Sequence, residues 1–265
     1  MLPTLSLVLP CFNEEENIED TVREVFAWFK ENDLQGEAII VNDGSSDGTA
    51  TVLHRLQEEF SLVVLTHREN QGYGAALCAG CDRATMELIA FMDSDGQFHA
   101  SDFMLLLPRL SRVDFASGVR VRRADPFMRS LNARLYGWLI RWILGIRARD
   151  INCAMKVFRR TLWPTIRPQV VTGALFNAEL FLRLMRARIS WEQVPVPHYP
   201  RLLGTPTGAQ FCVIVRMFRE LWKLRCSKTL PSQEYGPSHS SHSADPKKEE
   251  WTVVASHRPI KVRSM

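Results

Sequence analysis

The 265-residue chain is predicted to fold as an α/β protein, with helices flanking a mostly parallel central sheet. Three observations predict this. Short apolar segments alternate with amphipathic, helix-length ones over residues 4–92. Most of these apolar segments run into turns that carry Asn, Asp or Gly. The composition, 46% hydrophobic and 23% charged, is that of a globular chain able to bury a core without staples.

Residues 4–10 (TLSLVLP) read as a strand closed by Pro10, and 14–31 place Ile18, Val22, Val25, Phe26 and Phe29 at helical spacing. Residues 37–42 (EAIIVN) read as a second strand. Asp47 reads as the N-cap of a helix running to Phe60. A third strand (62–66), a Gly/Ala-rich helix (72–84) and a fourth strand (87–92) follow. Strands alternating with helices imply parallel pairing through crossovers. After Phe115–Gly118 the pattern changes to a basic loop (119–126), a long amphipathic helix (127–146), a strand near 153–158, a helix near 175–189 and a strand near 191–197. A Pro/Gly loop (197–208) leads to a last amphipathic helix (209–224). Residues 227–265, rich in Ser, His, Pro and Lys, read as a disordered tail.

Six cysteines are scattered along the chain. Cys78 and Cys81 form a C-x-x-C without a second ligand pair, so they read as small packed residues in preference to a zinc or redox site. A strand beginning at residue 4 leaves no room for a signal peptide, which predicts a reducing, cytoplasmic setting. Neither 127–146 nor 209–224 is apolar enough to span a bilayer, since each is interrupted by basic residues.

Charge is divided sharply. Residues 1–118 hold 7 Lys/Arg against 20 Asp/Glu, and residues 119–226 hold 20 against 5. An acidic half suits a cation, and a basic, Arg-rich half suits an anionic partner. Nucleic acid is set aside because no reading motif accompanies the basic half.

The chemistry-bearing segments lie at strand ends, where open parallel sheets bind ligands. Asp93-Ser94-Asp95-Gly96-Gln97 follows the fourth strand. Two carboxylates and an amide oxygen form an oxygen-only set suited to magnesium or manganese, although Asp-x-Asp also occurs as a plain turn and helix cap. Asn42-Asp43-Gly44-Ser45-Ser46-Asp47 follows the second strand, and Asp43 there can accept from a base or a sugar hydroxyl. Pro10-Cys11-Phe12-Asn13-Glu14 follows the first strand, with Phe12 available to stack and Glu14 to hydrogen-bond a ribose or base edge. Asn70-Gln71-Gly72-Tyr73-Gly74 opens a helix but lacks both the P-loop and the dinucleotide spacing.

Together these segments resemble the family 2 glycosyltransferases of GT-A fold. The resemblance covers residues 4–226 through P-x-F-N-E (10–14), N-D-G-S-S-D-G-T (42–49), N-Q-G-Y-G-A-A (70–76), D-S-D-G-Q (93–97) and S-G-V-R (117–120). Within the family it is most similar to the polyprenyl-phosphate (dolichyl-phosphate) mannose and glucose synthases, through D-I-N-C-A-M-K-V-F-R (150–159) and R-L-L-G (201–204). The resemblance implies one domain over 1–226, with a nucleotide-sugar and metal half (1–118) and a basic acceptor half (119–226). It implies that Pro10, Phe12, Glu14, Val41 and Asp43 contact the nucleoside. Asp93, Asp95 and Gln97 would hold Mg2+ or Mn2+ and the diphosphate, and Arg120, Arg129 and Arg201 would hold phosphates. Asp93, Asp95, Arg120 and Arg129 would then carry the transfer.

The implied partners are a nucleotide sugar of the GDP-mannose or UDP-glucose type and a polyprenyl phosphate at the cytoplasmic membrane face. The chain would associate with that face peripherally, and the family also uses separate membrane-anchoring subunits. Departures from the family pattern are Asn42 for Asp, Phe12 for Tyr, Ala133 for Ser, and Ala154-Met155 for Gly-Phe. A lipid phosphate needs no general base, whereas a sugar hydroxyl of a glycan or glycolipid would need one, with Asp150 and Glu179 as candidates. A third reading is a membrane-peripheral protein that binds nucleotide sugars without turnover.

Overall fold

The computed structural model describes residues 3–121, 137–138, 140–170, 175–201, 221, 224 and 252–255. Four parallel strands form its centre: β1 (Leu5–Cys11), β2 (Gly36–Asn42), β3 (Leu62–Thr66) and β4 (Leu88–Phe91). The chain steps from β1 outward to β2 and β3, then returns to lay β4 on the other side of β1. Beside β1 the strand order therefore reverses, and such reversals open a crevice beyond the strand carboxyl ends.

The connecting helices follow from that reversal. Right-handed crossovers place α1 (Ile18–Glu31) and α2 (Thr49–Glu59) on one face of the sheet and α3 (Tyr73–Arg83) on the other. Side chains alternate accordingly. Leu5, Leu7, Leu9, Ala38 and Ile40 join Ile18, Val22, Leu53 and Leu56 in one core, while Val8, Ile39, Val41, Ile89 and Phe91 join α3 in the other. Small residues let α3 lie close to the sheet. A Cβ on Gly80 would stand 2.3 Å from Val8 Cγ1, so only glycine fits there.

Beyond β4 the sheet becomes mixed. β5 (Phe115–Arg120), β6 (Lys156–Arg159) and β7 (Trp191–Val196) complete that side, with β6 antiparallel to both β4 and β5. β7 runs parallel to β5 on the outside. Composition hid β5, because F-A-S-G-V-R carries small residues where strands carry β-branched ones. Of two short helices, α4 (Phe103–Leu106) packs beside β5, β6 and β7, and α5 (Trp163–Ile166) packs against the helix that follows it. α6 (Phe176–Arg186) is buried along most of its length and packs Phe176 and Phe181 against Phe91 and Phe115. Each such aromatic pair contributes about 0.5–1.5 kcal/mol beyond its buried area.

Some expectations shift. α1 begins at Ile18, not at residue 14, and Gly48 occupies the N-cap of α2. Asp47 stands one residue earlier, where its carboxylate accepts the Thr49 amide at 3.0 Å. In the tail, Thr252–Ala255 forms a strand, β8, antiparallel to β3. T-V-V-A is a β-branched run meeting an open sheet edge. The rest of 227–265, and most of the expected helices 127–146 and 209–224, lie outside the described residues. Among the described residues no helix is long and apolar enough to cross a membrane.

Candidate active site

The ends of β1, β2 and β4 converge on a cavity of about 280 Å³ lined by Pro10, Phe12, Glu14, Asp43, Asn70, Gly72, Tyr73, Asp93 and Asp95, among others. Its walls are stitched together. Asn13, in the left-handed region at φ 55°, takes the Ser46 amide on its side-chain oxygen at 2.8 Å, and its own amide donates to Ser45 Oγ at 3.0 Å. The Glu14 amide donates to Thr49 Oγ1 at 3.0 Å. Ser94 roots the turn after β4 in β1, its Oγ donating to the Pro10 carbonyl at 2.8 Å. With Ser94 turned inward, Asp93 and Asp95 on either side of it both face the cavity.

The two ends of the cavity differ electrostatically. Asp43 accepts the amides of Gln71 at 3.0 Å and Gly72 at 2.8 Å, and it pairs with the buried His67 through Nδ1. Burial alone would raise its pKa, but His67 and the two amides outweigh burial and hold the carboxyl below its ordinary value. For Asp93 the Tyr73 phenol and the charges of Arg120 and Lys156 act downward but are outweighed. Burial, and then the charge of Asp95, push its carboxyl up to about 7. Beside it the Tyr73 phenol is driven well above its ordinary value, first by its own burial and then by Asp93.

Such a carboxylate pair gains from a cation. Among the described residues no three His, Cys, Asp or Glu side chains form a self-sufficient metal cage. Asp93 and Asp95 therefore offer a partial set of hard oxygens whose other positions suit a diphosphate and water. Gln97, the third expected ligand, is not among the residues lining the cavity, and its Nε2 donates to the Tyr199 carbonyl at 3.2 Å. The site already attracts one cationic group. Arg201 forms a forked pair with Glu14 at 2.8 and 2.9 Å and stands 3.5 Å from Asp95 Oδ2. The residues following β7 hold it there, with His198 against Phe98, Tyr199 against His99, and the Tyr199 amide donating to the Gln97 carbonyl at 3.1 Å.

Not every expected residue reaches the cavity. Val41 is fully buried in the core under α3, where strand alternation sends its side chain, so it does not line the cavity. Arg120 ends β5 outside the lining, and its guanidinium grips Asp150 at 2.8 and 2.9 Å. Arg129 and Ala133 lie outside the described residues. Asn42 accepts the Ser45 amide at 3.0 Å, a turn-closing bond that Asp or Asn makes equally. Ala154 and Met155 are buried in the core beneath β1 and β4. Cys78 and Cys81 are buried, and the Cys78 thiol donates to the Pro168 carbonyl at 3.9 Å.

Two further residues matter that the sequence did not single out. His67 supports Asp43 from the end of β3. Lys156 is fully buried beside the Phe91 ring, 5.4 Å from its centroid, and burial lowers its pKa to about 8. A polar residue at the boundary of an apolar strand was the only signal for either.

Comparisons with known proteins agree with this geometry. The family described as Glycosyl transferase family 2 matches residues 6–184. Dodecaprenyl-phosphate galacturonate synthase of Rhizobium johnstonii is 34% identical over 163 residues, 60% of this chain and 48% of that protein. Dolichyl-phosphate beta-glucosyltransferase of Trichomonas vaginalis is 26% identical over 211 residues, 72% of this chain and 64% of that protein. The chain thus spans from about half to under two thirds of the length of these curated relatives. Glucosyl-3-phosphoglycerate synthase from Mycobacterium tuberculosis, solved with Mn2+, UDP-glucose and phosphoglyceric acid, superposes with a TM-score of 0.64 at 18% identity, over 84% of this chain and 80% of that one. At that identity the likeness concerns the GT-A fold alone. Since the matched span runs from within β1 to near the end of α6, it takes in the whole carboxylate-lined cavity, and the chain belongs to glycosyl transferase family 2.

Proposed function

We propose that this chain transfers a hexose from a nucleoside diphosphate sugar to a polyprenyl phosphate at the cytoplasmic face of a membrane. The observation that carries the reading is the carboxylate pair Asp93 and Asp95, sharing one cavity with Glu14 and Asp43. Phe12 and Asp43 would hold the nucleoside, and Asp93 and Asp95 would hold Mg2+ or Mn2+. The bound cation would neutralise charge building on the leaving diphosphate. Arg201 would exchange its carboxylate partners for phosphate oxygens, which its fork suits equally well. The acidic half, residues 1–118, would be the donor side and the basic half, 119–226, the acceptor side.

A phosphate acceptor is favoured over a hydroxyl because both candidate bases are engaged. Glu179 is fully buried, accepting the Gln169 amide at 2.7 Å and Arg183 Nε at 2.8 Å. Asp150 is locked to Arg120. A lipid phosphate arrives as an anion, so the transfer needs orientation and charge stabilisation, not proton removal. Contact with a lipid surface is supported by Trp138 and Trp142. They stack at 6.2 Å and are 61% and 74% exposed, beside the exposed Arg141. The chain would lie on the surface peripherally, alone or with an anchoring subunit.

The test is purified protein with Mg2+, labelled UDP-glucose or GDP-mannose, and polyprenyl phosphate. A labelled product extracting into organic solvent is expected. Transfer only to a sugar hydroxyl would replace the acceptor assignment, and tight nucleotide binding without transfer or hydrolysis would make the chain a binding protein.

A further inference from the structure

Three consecutive residues serve both ends of the cavity. Gln71 and Gly72 give their amides to Asp43 at 3.0 and 2.8 Å, and the next residue, Tyr73, sets its phenol beside Asp93. Gly72 allows the change of direction at φ 99°, a conformation that other residues rarely adopt. Tyr73 is the first residue of α3, and its ring is backed by Phe176, which meets it edge-on at 6.3 Å. Phe176 also meets Phe91 at 6.3 Å, at the end of the strand that leads into Asp93.

Packing accounts for the ring but not for its hydroxyl. The phenol oxygen is buried and makes no hydrogen bond to any described residue, although Asp93 lies near enough for phenol and carboxyl to act on one another. A buried hydroxyl without a partner is unfavourable, and Phe would fill the same space without it. A carboxylate that binds a cation through one oxygen gains from a donor on the other, because that donor fixes the orientation of the ligating oxygen. The neighbouring cations are engaged elsewhere. Arg120 is forked onto Asp150, and Lys156 donates to the carbonyls of Ile151 and Cys153. We propose that Tyr73 is a positioning residue for the metal, its phenol donating to one oxygen of Asp93 while the other faces a divalent cation. This rests on the metal-dependent nucleotide-sugar reading above and adds to it a residue outside the D-S-D turn. The hydroxyl then contributes to the metal-bound protein and not to the metal-free one.

The experiment is calorimetric titration of the full chain with UDP and with GDP over a series of Mn2+ concentrations, beside urea unfolding without metal. Tyr73→Phe should raise the Mn2+ concentration that half-maximally strengthens nucleotide binding roughly tenfold, the scale of losing a hydrogen bond behind a metal ligand. Its metal-free nucleotide affinity should be unchanged. Its urea midpoint should equal or exceed that of the unaltered protein, because an unpartnered hydroxyl is gone. Tyr73→Leu, which removes the ring as well, should share the Mn2+ defect and unfold at lower urea. An unchanged Mn2+ requirement in Tyr73→Phe overturns the proposal. So does a Tyr73→Phe protein that is less stable without metal or does not fold, since the hydroxyl would then be structural. Equal weakening of nucleotide binding with and without Mn2+ overturns it as well, by placing the hydroxyl on the nucleotide. Those three results leave the nucleotide-sugar reading standing. If the unaltered protein binds neither nucleotide, or binds without any strengthening by Mn2+, the proposal and the reading beneath it fall together.

Discussion

The base end and the metal end of the cavity treat the same functional group in opposite ways. At the end proposed for the base, Asp43 is bonded by His67 and two backbone amides and its pKa is lowered. At the metal end, Asp93 is crowded by Asp95 and its carboxyl is pushed up to about 7. The first is held by donors of its own chain, while the second carries a charge that burial and Asp95 oppose and that Tyr73, Arg120 and Lys156 offset only in part. On the proposed reading, a base would meet a carboxylate already held in place, and a cation would meet one whose charge is poorly offset.

The largest expected effect tests the metal end. Asp95→Ala should lower transfer by about a thousandfold or more, the scale of losing preorganised charge stabilisation, with the circular dichroism spectrum unchanged. Retained activity would remove the metal assignment. Asp93→Asn should abolish transfer as well, yet stabilise the metal-free protein. The sign follows from linkage: a carboxyl whose pKa is raised on folding loses stability as pH climbs from about 4 to about 7. At pH 7.5 the neutral amide should therefore gain about 1–3 kcal/mol in urea unfolding, and the gain should vanish near pH 4. A loss of stability at pH 7.5 would mean that the pair is not strained.

At the base end the expectation is reversed. Asp43→Asn should destabilise the protein by about 1–3 kcal/mol, because an amide nitrogen then faces donors that need an acceptor. It should also weaken nucleotide binding. A neutral result in both measurements would make the contrast between the two carboxylates irrelevant. The smallest effect is expected far from either carboxylate. Replacing Trp138 and Trp142 together by Ala should weaken binding to anionic liposomes severalfold while leaving nucleotide affinity unchanged.

Much of the donor side was legible in the sequence because its signals are local. The D-S-D turn carries its two carboxylates within three residues of one another, directly after an apolar strand. The four parallel strands announce themselves by short, mostly apolar runs. What could not be read arises from contacts between distant segments. His67 acquires its role from Asp43, 24 residues away, and the Glu14–Arg201 pair joins residues 187 apart. Arg120 looked free to hold phosphate because nothing nearby in sequence announces Asp150, which lies 30 residues on. Val41 was misplaced for a different reason. Belonging to a motif is not the same as facing its ligand, and a strand sends alternate side chains to opposite faces.

Gly80 sits in the last part of a helix whose first turn borders the cavity at Gly72 and Tyr73. Its missing side chain is what lets that helix rest on Val8. A single added methyl would prise the far end outward, and a rigid rod levered at one end moves at the other. On the proposed reading, nucleotide affinity would therefore respond to a substitution about 10 Å along the helix from Tyr73, at a position that the cavity lining alone would call silent.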